Sequence, residues 1–200
     1  MVPVNSHLPR GWELLTLGEI VDFKSGGTPR KSNEDFWNGD VPFVTAADLT
    51  SIAIDETLAR SFLTEHGWKA GGTGHALPGA VLLGTRTRVG RVGVAKVRMA
   101  ASQDVTILHC RSDVSPEWLA RFLKSRNDTL NAAATGATIQ GITRRFLAAL
   151  EVPIPPFEEQ QRIAAIMSKA EEARSAAAAQ LSATNELAEV LLYRLMAPLD

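Results

Sequence analysis

Cysteine is almost absent from this chain. Cys110 is the only one among 200 residues. One thiol closes no internal disulfide, and a disulfide-built secreted scaffold is thereby excluded. The four histidines, His7, His66, His75 and His109, are scattered and share no metal-ligand spacing with Cys110. Cys110 ends the apolar run Val105–Cys110 and reads as part of a buried strand. No stretch approaches the roughly 18 uninterrupted apolar residues of a membrane span. The N-terminus has neither the basic start nor the apolar core of a signal peptide. A cytoplasmic protein is therefore expected. Excess charge is lacking too: the formal net charge is −1, which excludes a protein that coats nucleic acid through bulk positive charge. No phosphate-binding loop ending in Gly-Lys-Ser/Thr occurs, and Gly71-Gly72-Thr73-Gly74 lacks the spacing of a dinucleotide-binding turn. Asp22-Phe23-Lys24 matches the tail of a nuclease Asp/Glu-x-Lys pair without an upstream carboxylate. No catalytic constellation is visible.

The most telling absence is that of glycine and proline between Phe157 and Met196. Pro153, Pro155 and Pro156 hold the preceding chain extended and close a compact region. Glu158 and Glu159 then fall in a first helical turn, where carboxylates suit the positive end of the helix dipole. A single helix of that length would reach about 60 Å. Ile163, Met167, Ala170, Ala177, Leu181, Ala188, Leu191 and Leu195 recur three, four or seven residues apart, with Arg174 and Thr184 interrupting. That is the 3.5-residue period of a coiled-coil seam, and its many alanines permit close approach of two axes. The alternative is a terminal helix packed on its own domain. This chain contains no second long periodic segment, so a partner helix would come from another chain. The expected organisation is a domain over residues 1–156 followed by a helix over 157–200.

Within the first part, charge is unevenly placed. From His66 to Gln103 the ionised side chains are Lys69, Arg86, Arg88, Arg91, Lys96 and Arg98, with no Asp or Glu. A local positive field is implied that the net charge hides. Arg86-Thr87-Arg88 follows an apolar strand and precedes Gly90, so its arginines are candidates to read guanine edges or clamp phosphates. A solvated polar turn is the alternative. Lys24, Thr28, Arg30 and Lys31 form a second basic, glycine-containing turn, and Arg91 is a further candidate. Gly136–Ile142 is a third polar turn, followed by Arg144-Arg145.

The remaining pattern is mixed. Short strands are expected within Trp12–Ile20, continuing through Val21–Ser25, and at Asp40–Thr45, Ala80–Thr85 and Arg91–Val97, the last alternating as a half-buried strand does. Pro42 in the second of these is compatible with an edge position. Pro116–Arg126 has helical spacing with Ser115 as N-cap. Phe146–Pro153 returns as a last turn or strand. An α+β domain followed by one long helix is the expected fold class.

Ile154-Pro155-Pro156-Phe157 invites comparison with adenine amino-methyltransferases, which carry Pro-Pro-aromatic after Asp, Asn or Ser. Ile154 stands where the hydrogen-bond acceptor for the amino group would be needed. A methyltransferase reading of this chain fails there.

Pro9-Arg10-Gly11-Trp12 with Leu17-Gly18-Glu19-Ile20, Gly27-Thr28-Pro29, Val41–Val44 with Asp48-Leu49, Leu77–Leu83, Arg86 with Gly90 and Gly93, Gly136–Ile139, and Ile154-Pro155-Pro156 with Glu159-Gln160 and Arg162-Ile163 together form an ordered series. In order and spacing it resembles the DNA specificity (S) subunit of type I restriction–modification systems. The resemblance implies a target-recognition domain followed by a spacer helix. It also implies double-stranded DNA as ligand and docking of a methyltransferase (M) subunit, through which a restriction (R) subunit can join. S-adenosylmethionine would then belong to the M partner, with no cofactor in this chain. Members of the family commonly carry two recognition domains and two helices, whereas one of each is present here. A half-subunit that pairs with a second copy is implied. A free-standing dimeric DNA-binding regulator is the alternative function.

Overall fold

The structure, a computed structural model, describes residues 8–134 and 141–196, with side chains described as far as Tyr193. The turn at 136–140 and the side chain of Leu195 lie outside the described residues. The chain divides into two units, 1–161 and 162–200.

In the first unit, β1 (Glu13–Thr16) leads into a one-turn helix, α1 (Leu17–Ile20), and then β2 (Val21–Ser25). These are followed by β3 (Trp37–Val44), β4 (Ala53–Ile54), β5 (Ser61–Leu63), α2 (Glu65–Ala70) and β6 (Gly74–Ala76). Next come β7 (Val81–Gly84), β8 (Val92–Ala95), β9 (Met99–Ala101) and β10 (Val105–Cys110). The series ends with α3 (Pro116–Ser125), α4 (Asn127–Ala133), α5 (Arg144–Ala148), β11 (Glu151–Ile154) and α6 (Phe157–Met196). Three sheets result, in the orders β1-β11, β2-β10-β7-β8-β4 and β5-β3-β9-β6. The α+β expectation holds.

The short strand expected within Trp12–Ile20 is β1, but it does not continue into Val21–Ser25, because a helical turn intervenes. Leu17 and Ile20 are buried at helical spacing, and the Glu19 carboxylate accepts from both the backbone N–H and the Oγ1 of Thr16 at 2.7 Å. That reciprocal cap favours a helical turn over continued extension. The same two bonds hold the Glu19 carboxyl below the usual range. The turn moves the chain from one sheet to another, so β1 and β2 are separate strands. Pro42 lies in an inner strand rather than an edge one, because β3 pairs antiparallel with β5 and parallel with β9. The β9 pairing involves only Phe43 and Val44, leaving β3 without a neighbour on that side at Pro42. A missing N–H is tolerable there. Val92–Ala95 is buried on both faces instead of alternating, since α3 packs against β7 and β8.

One core cluster gathers Val44, Ile54, Leu82, Met99 and Ile107, and a second gathers Val41, Phe43, Leu63 and Trp68. Each fully buried Leu or Ile contributes about 1.5–3 kcal/mol through removal of apolar surface from water. Ser115 caps α3 by accepting from the Trp118 N–H, and Pro116 opens the helix where no N–H is required.

Cys110 is half-buried at the end of β10, and burial, aided by the Glu117 charge, pushes its thiol up to about 12. The thiolate is the reactive form, so Cys110 is expected to resist alkylation near pH 8 in the folded protein and to react on unfolding. Rapid native labelling with iodoacetamide would contradict this environment.

The base of α6 is anchored inside the first unit by Gln160, which is fully buried. Its Oε1 accepts from the Ser115 N–H at 2.8 Å, and its Nε2 donates to the carbonyls of Asp113 at 3.0 Å and Pro155 at 2.9 Å. Trp12 Nε1 donates to Glu159 at 3.2 Å, after a turn that Gly11 makes at φ +85°. From this base α6 runs without interruption for 40 residues, about 60 Å. In the second unit Leu181, Leu191 and Met167 of the expected seam are exposed, at 63%, 50% and 39%. Ile166, Leu187, Val190, Leu192 and Tyr193 are exposed as well, so the distal part of the helix is apolar on more than one narrow stripe.

Candidate nucleic-acid interface

Two glycines fix the turn after β2. Gly26 N–H donates to Val105 O at 3.0 Å and Gly27 N–H to Ala101 O at 2.9 Å. A Cβ on Gly26 would lie 1.9 Å from Ser102 O, and one on Gly27 would lie 2.0 Å from Gly72 O. Only glycine allows backbone to approach backbone this closely. The basic turn is thereby laid on the β9–β10 turn, Ser102-Gln103-Asp104. Thr28 Oγ1 donates to Gln103 Oε1 between these two turns.

The β7–β8 connection carries Arg86, Thr87 and Arg88, all exposed. Gly84 and Arg91 close it through a 2.8 Å bond from Gly84 N to Arg91 O, and Gly90 N–H donates to Gly84 O at 3.0 Å. Arg88 sits at φ +51° and Gly90 at +82°, so the loop turns through two left-handed residues. Thr85 N–H donates to Asp104 O at 2.9 Å. Thus the Arg86 loop and the Thr28 turn flank the same Ser102–Asp104 turn. On the far side Ile142 N–H donates to Thr85 O at 2.8 Å, bringing α5 alongside. Arg144 of α5 donates to Ser25 Oγ at 3.2 Å and stands over the Phe23 ring at 5.7 Å.

Two concavities open on this surface. The larger, of about 780 Å³, is lined in part by Thr28, Lys31, Trp37, Phe43, Arg60 and Gln103, with Asp48 and Asp104 in its wall. Arg60 is paired with buried Asp48 at 2.9 Å. The smaller, of about 200 Å³, is lined by Ser25, Thr85, Arg86, Gln103 and Arg144, among others. Gln103 borders both. Arg30 lines a third hollow beside Thr28 and Gly71.

The structure therefore brings Thr28, Lys31 and Arg86 onto one surface, and Arg88 lies on the same loop as Arg86. Lys24 is placed differently. It pairs with Ile107, whereas Phe23 and Ser25 meet Arg144, and successive strand residues point to opposite faces. Arg91 is half-buried and its Nη1 donates to Ala47 O at 2.9 Å, bracing the chain after β3. The positive field is also smaller than the composition of 66–103 implies, because acids from outside it neutralise part of it. Lys96 pairs with Glu117 at 2.8 Å, and Arg98 pairs with Glu65. Among the described residues neither Arg86 nor Arg88 has an acidic partner. Sequence reasoning misses Gln103, Arg60 and Arg144, and of these only Arg144, in a basic pair after a glycine-rich turn, carries any signal. No group of His, Cys, Asp or Glu among the described residues is arranged to hold a metal ion. No described helix is long and apolar enough to cross a membrane.

The first unit is thus a mixed sheet domain with basic turns beside the β9–β10 turn, and the chain leads from it into a long helix. Residues 9–184 match the type I restriction modification DNA specificity domain, and the chain belongs to that family. It is 27% identical over 164 residues to the type I restriction enzyme MjaIX specificity subunit of Methanocaldococcus jannaschii. That match covers 80% of this chain and 38% of the relative. It is 28% identical over 164 residues to the EcoR124I/EcoR124II specificity subunit of Escherichia coli, covering 78% of this chain and 40% of that one. The fold agrees with the HsdS subunit of Thermoanaerobacter tengcongensis at a TM-score of 0.68 and 26% identity, over 87% of this chain and 40% of that one. It agrees with a chain from a structure on assembly and conformational transition of the type I R-M system at a TM-score of 0.76 and 26% identity, over 94% and 45%. The chain thus spans about two fifths of the length of these curated relatives.

Proposed function

We propose that this chain is a non-catalytic half-subunit that reads one part of a bipartite double-stranded DNA target and pairs with a second copy through α6. The observation that carries the DNA reading is the convergence of Thr28, Lys31, Arg86 and Arg144 around the Ser102–Asp104 turn. Phosphate oxygens suit exposed arginines that have no acidic partner. Exposed Leu181 and Leu191 support the pairing of two helices, each about twice as long as a small domain is wide. The helix would set the distance between the two halves and dock the M subunit, which would bring S-adenosylmethionine and the methyl transfer. The R subunit would join through it. Ile154, which cannot accept a hydrogen bond from an amino group, argues against methyl transfer by this chain.

The test is DNA binding and composition of the complex. Full chain co-expressed with a type I methyltransferase subunit is expected to co-purify with it and to select a discontinuous target. Arg86→Ala with Arg88→Ala is expected to weaken binding and to lower the dependence of log K on log salt by about one unit for each phosphate no longer neutralised. A base-reading arginine would instead alter sequence preference by about 1–3 kcal/mol. Unchanged affinity, preference and salt slope in the double variant would remove this surface from the DNA. A chain that binds DNA as a dimer but retains no methyltransferase would be a free-standing regulator.

A further inference from the structure

We infer that Gln103 is a base-reading residue, selective for adenine, and that Thr28 is its positioning residue; this rests on the DNA-binding reading of the same surface. Gln103 is exposed at the tip of the short turn joining β9 to β10. It is the residue common to the two concavities, with Lys31 on one side and Arg86 and Arg144 on the other. A duplex whose backbones meet the cations on both sides would have its base edges over the turn between them.

The turn is rigid for such a short connection. Gly26 and Gly27 are hydrogen-bonded to Val105 and Ala101 at its two ends, Ser102 N–H donates to Val44 O at 2.9 Å, and Asp104 O accepts from Thr85. The Gln103 carboxamide oxygen accepts from the Thr28 hydroxyl, which uses one lone pair and orients the plane of the amide. The second lone pair and both N–H donors remain available. That set is what an adenine edge requires: the amide oxygen accepts from N6–H and the amide nitrogen donates to N7. A cation at this position would favour guanine, so the chemistry of the side chain makes the selection. Holding the amide before DNA arrives lowers the ordering cost of a flexible side chain.

The experiment uses the full chain in complex with a methyltransferase subunit and a pool of duplexes carrying a randomised core, followed by sequencing of the bound fraction and salt titration. Wild type is expected to enrich adenine at one fixed position of its site. Gln103→Ala should erase that preference, a loss of about tenfold to a hundredfold in discrimination, while leaving the salt slope and the other positions unchanged. Gln103→Glu should move the preference towards cytosine, whose N4 amino group donates to a carboxylate. Thr28→Val should weaken the adenine preference without abolishing it. A uniform loss across all sequences in folded Gln103→Ala, or an unaltered preference, would overturn the assignment while leaving DNA binding by this surface intact. Wild type that selects no sequence at all would remove the DNA-binding reading and the assignment with it.

Discussion

Replacing Leu181 and Leu191 together by Asp is expected to convert the protein from dimer to monomer. Both side chains are at least half exposed on α6, whereas leucine at seam spacing is stable when a second helix covers it. Two carboxylates placed in a dry apolar seam would each cost several kcal/mol before relaxation. Because the seam of a two-fold dimer is crossed by the same residues from both chains, each double variant introduces four charges into one interface. The monomer should keep its helix, since Asp is only a modest helix breaker on an exposed face. Light scattering at tens of micromolar reads the change of mass, and circular dichroism checks the helix. Wild type that is monomeric at that concentration would withdraw the main support for a half-subunit.

Gln160→Leu should lower stability by about 3 kcal/mol through loss of hydrogen bonds to otherwise unmet buried groups. The Ser115 N–H and the Pro155 carbonyl would remain buried with no partner, and the Asp113 carbonyl would lose its donor. The cost of each such group is about 1–3 kcal/mol for a donor and less for a carbonyl. For a chain of this size the melting temperature should fall by about 6–12 °C. Gln160→Glu should also destabilise, because a carboxylate can accept from Ser115 but presents oxygen to two carbonyls. Gln161→Leu, at the exposed neighbouring position, is the control and should stay within about 0.5 kcal/mol of wild type. A Gln160→Leu protein that melts with wild type would mean that another group replaces the amide.

The long helix is legible in the sequence because its signal is local. Forty residues free of glycine and proline, opened by two glutamates, need no tertiary knowledge to be read. The strands at Val81–Gly84 and Val105–Cys110 are legible for the same reason, being short and rich in apolar residues. The helical turn at Leu17–Ile20 is not legible between the two strands because four residues are too few to show a period, and the Thr16–Glu19 cap alone marks it. The candidate site is half legible. Residue type points to Arg86 and to Thr28 and Lys31, but convergence depends on Gly26 and Gly27 touching a turn about 75 residues away in sequence. Gln103 has no charge and no motif, so only its place between two hollows draws attention to it. The acid-free run from His66 to Gln103 overstates the field, because the carboxylates of Glu65 and Glu117 reach its lysine and arginine through folding.

The pairing of β1 with β11 makes Glu13 the neighbour of Ile154 and Thr16 the neighbour of Glu151. Chain enters and leaves the globular unit side by side, on adjacent strands of one ribbon. Such a unit behaves as a cassette. Adjacent ends of this kind let a unit be replaced at its two flanks while the segment that follows is kept. Under the proposed function, reading specificity would then change independently of helix length.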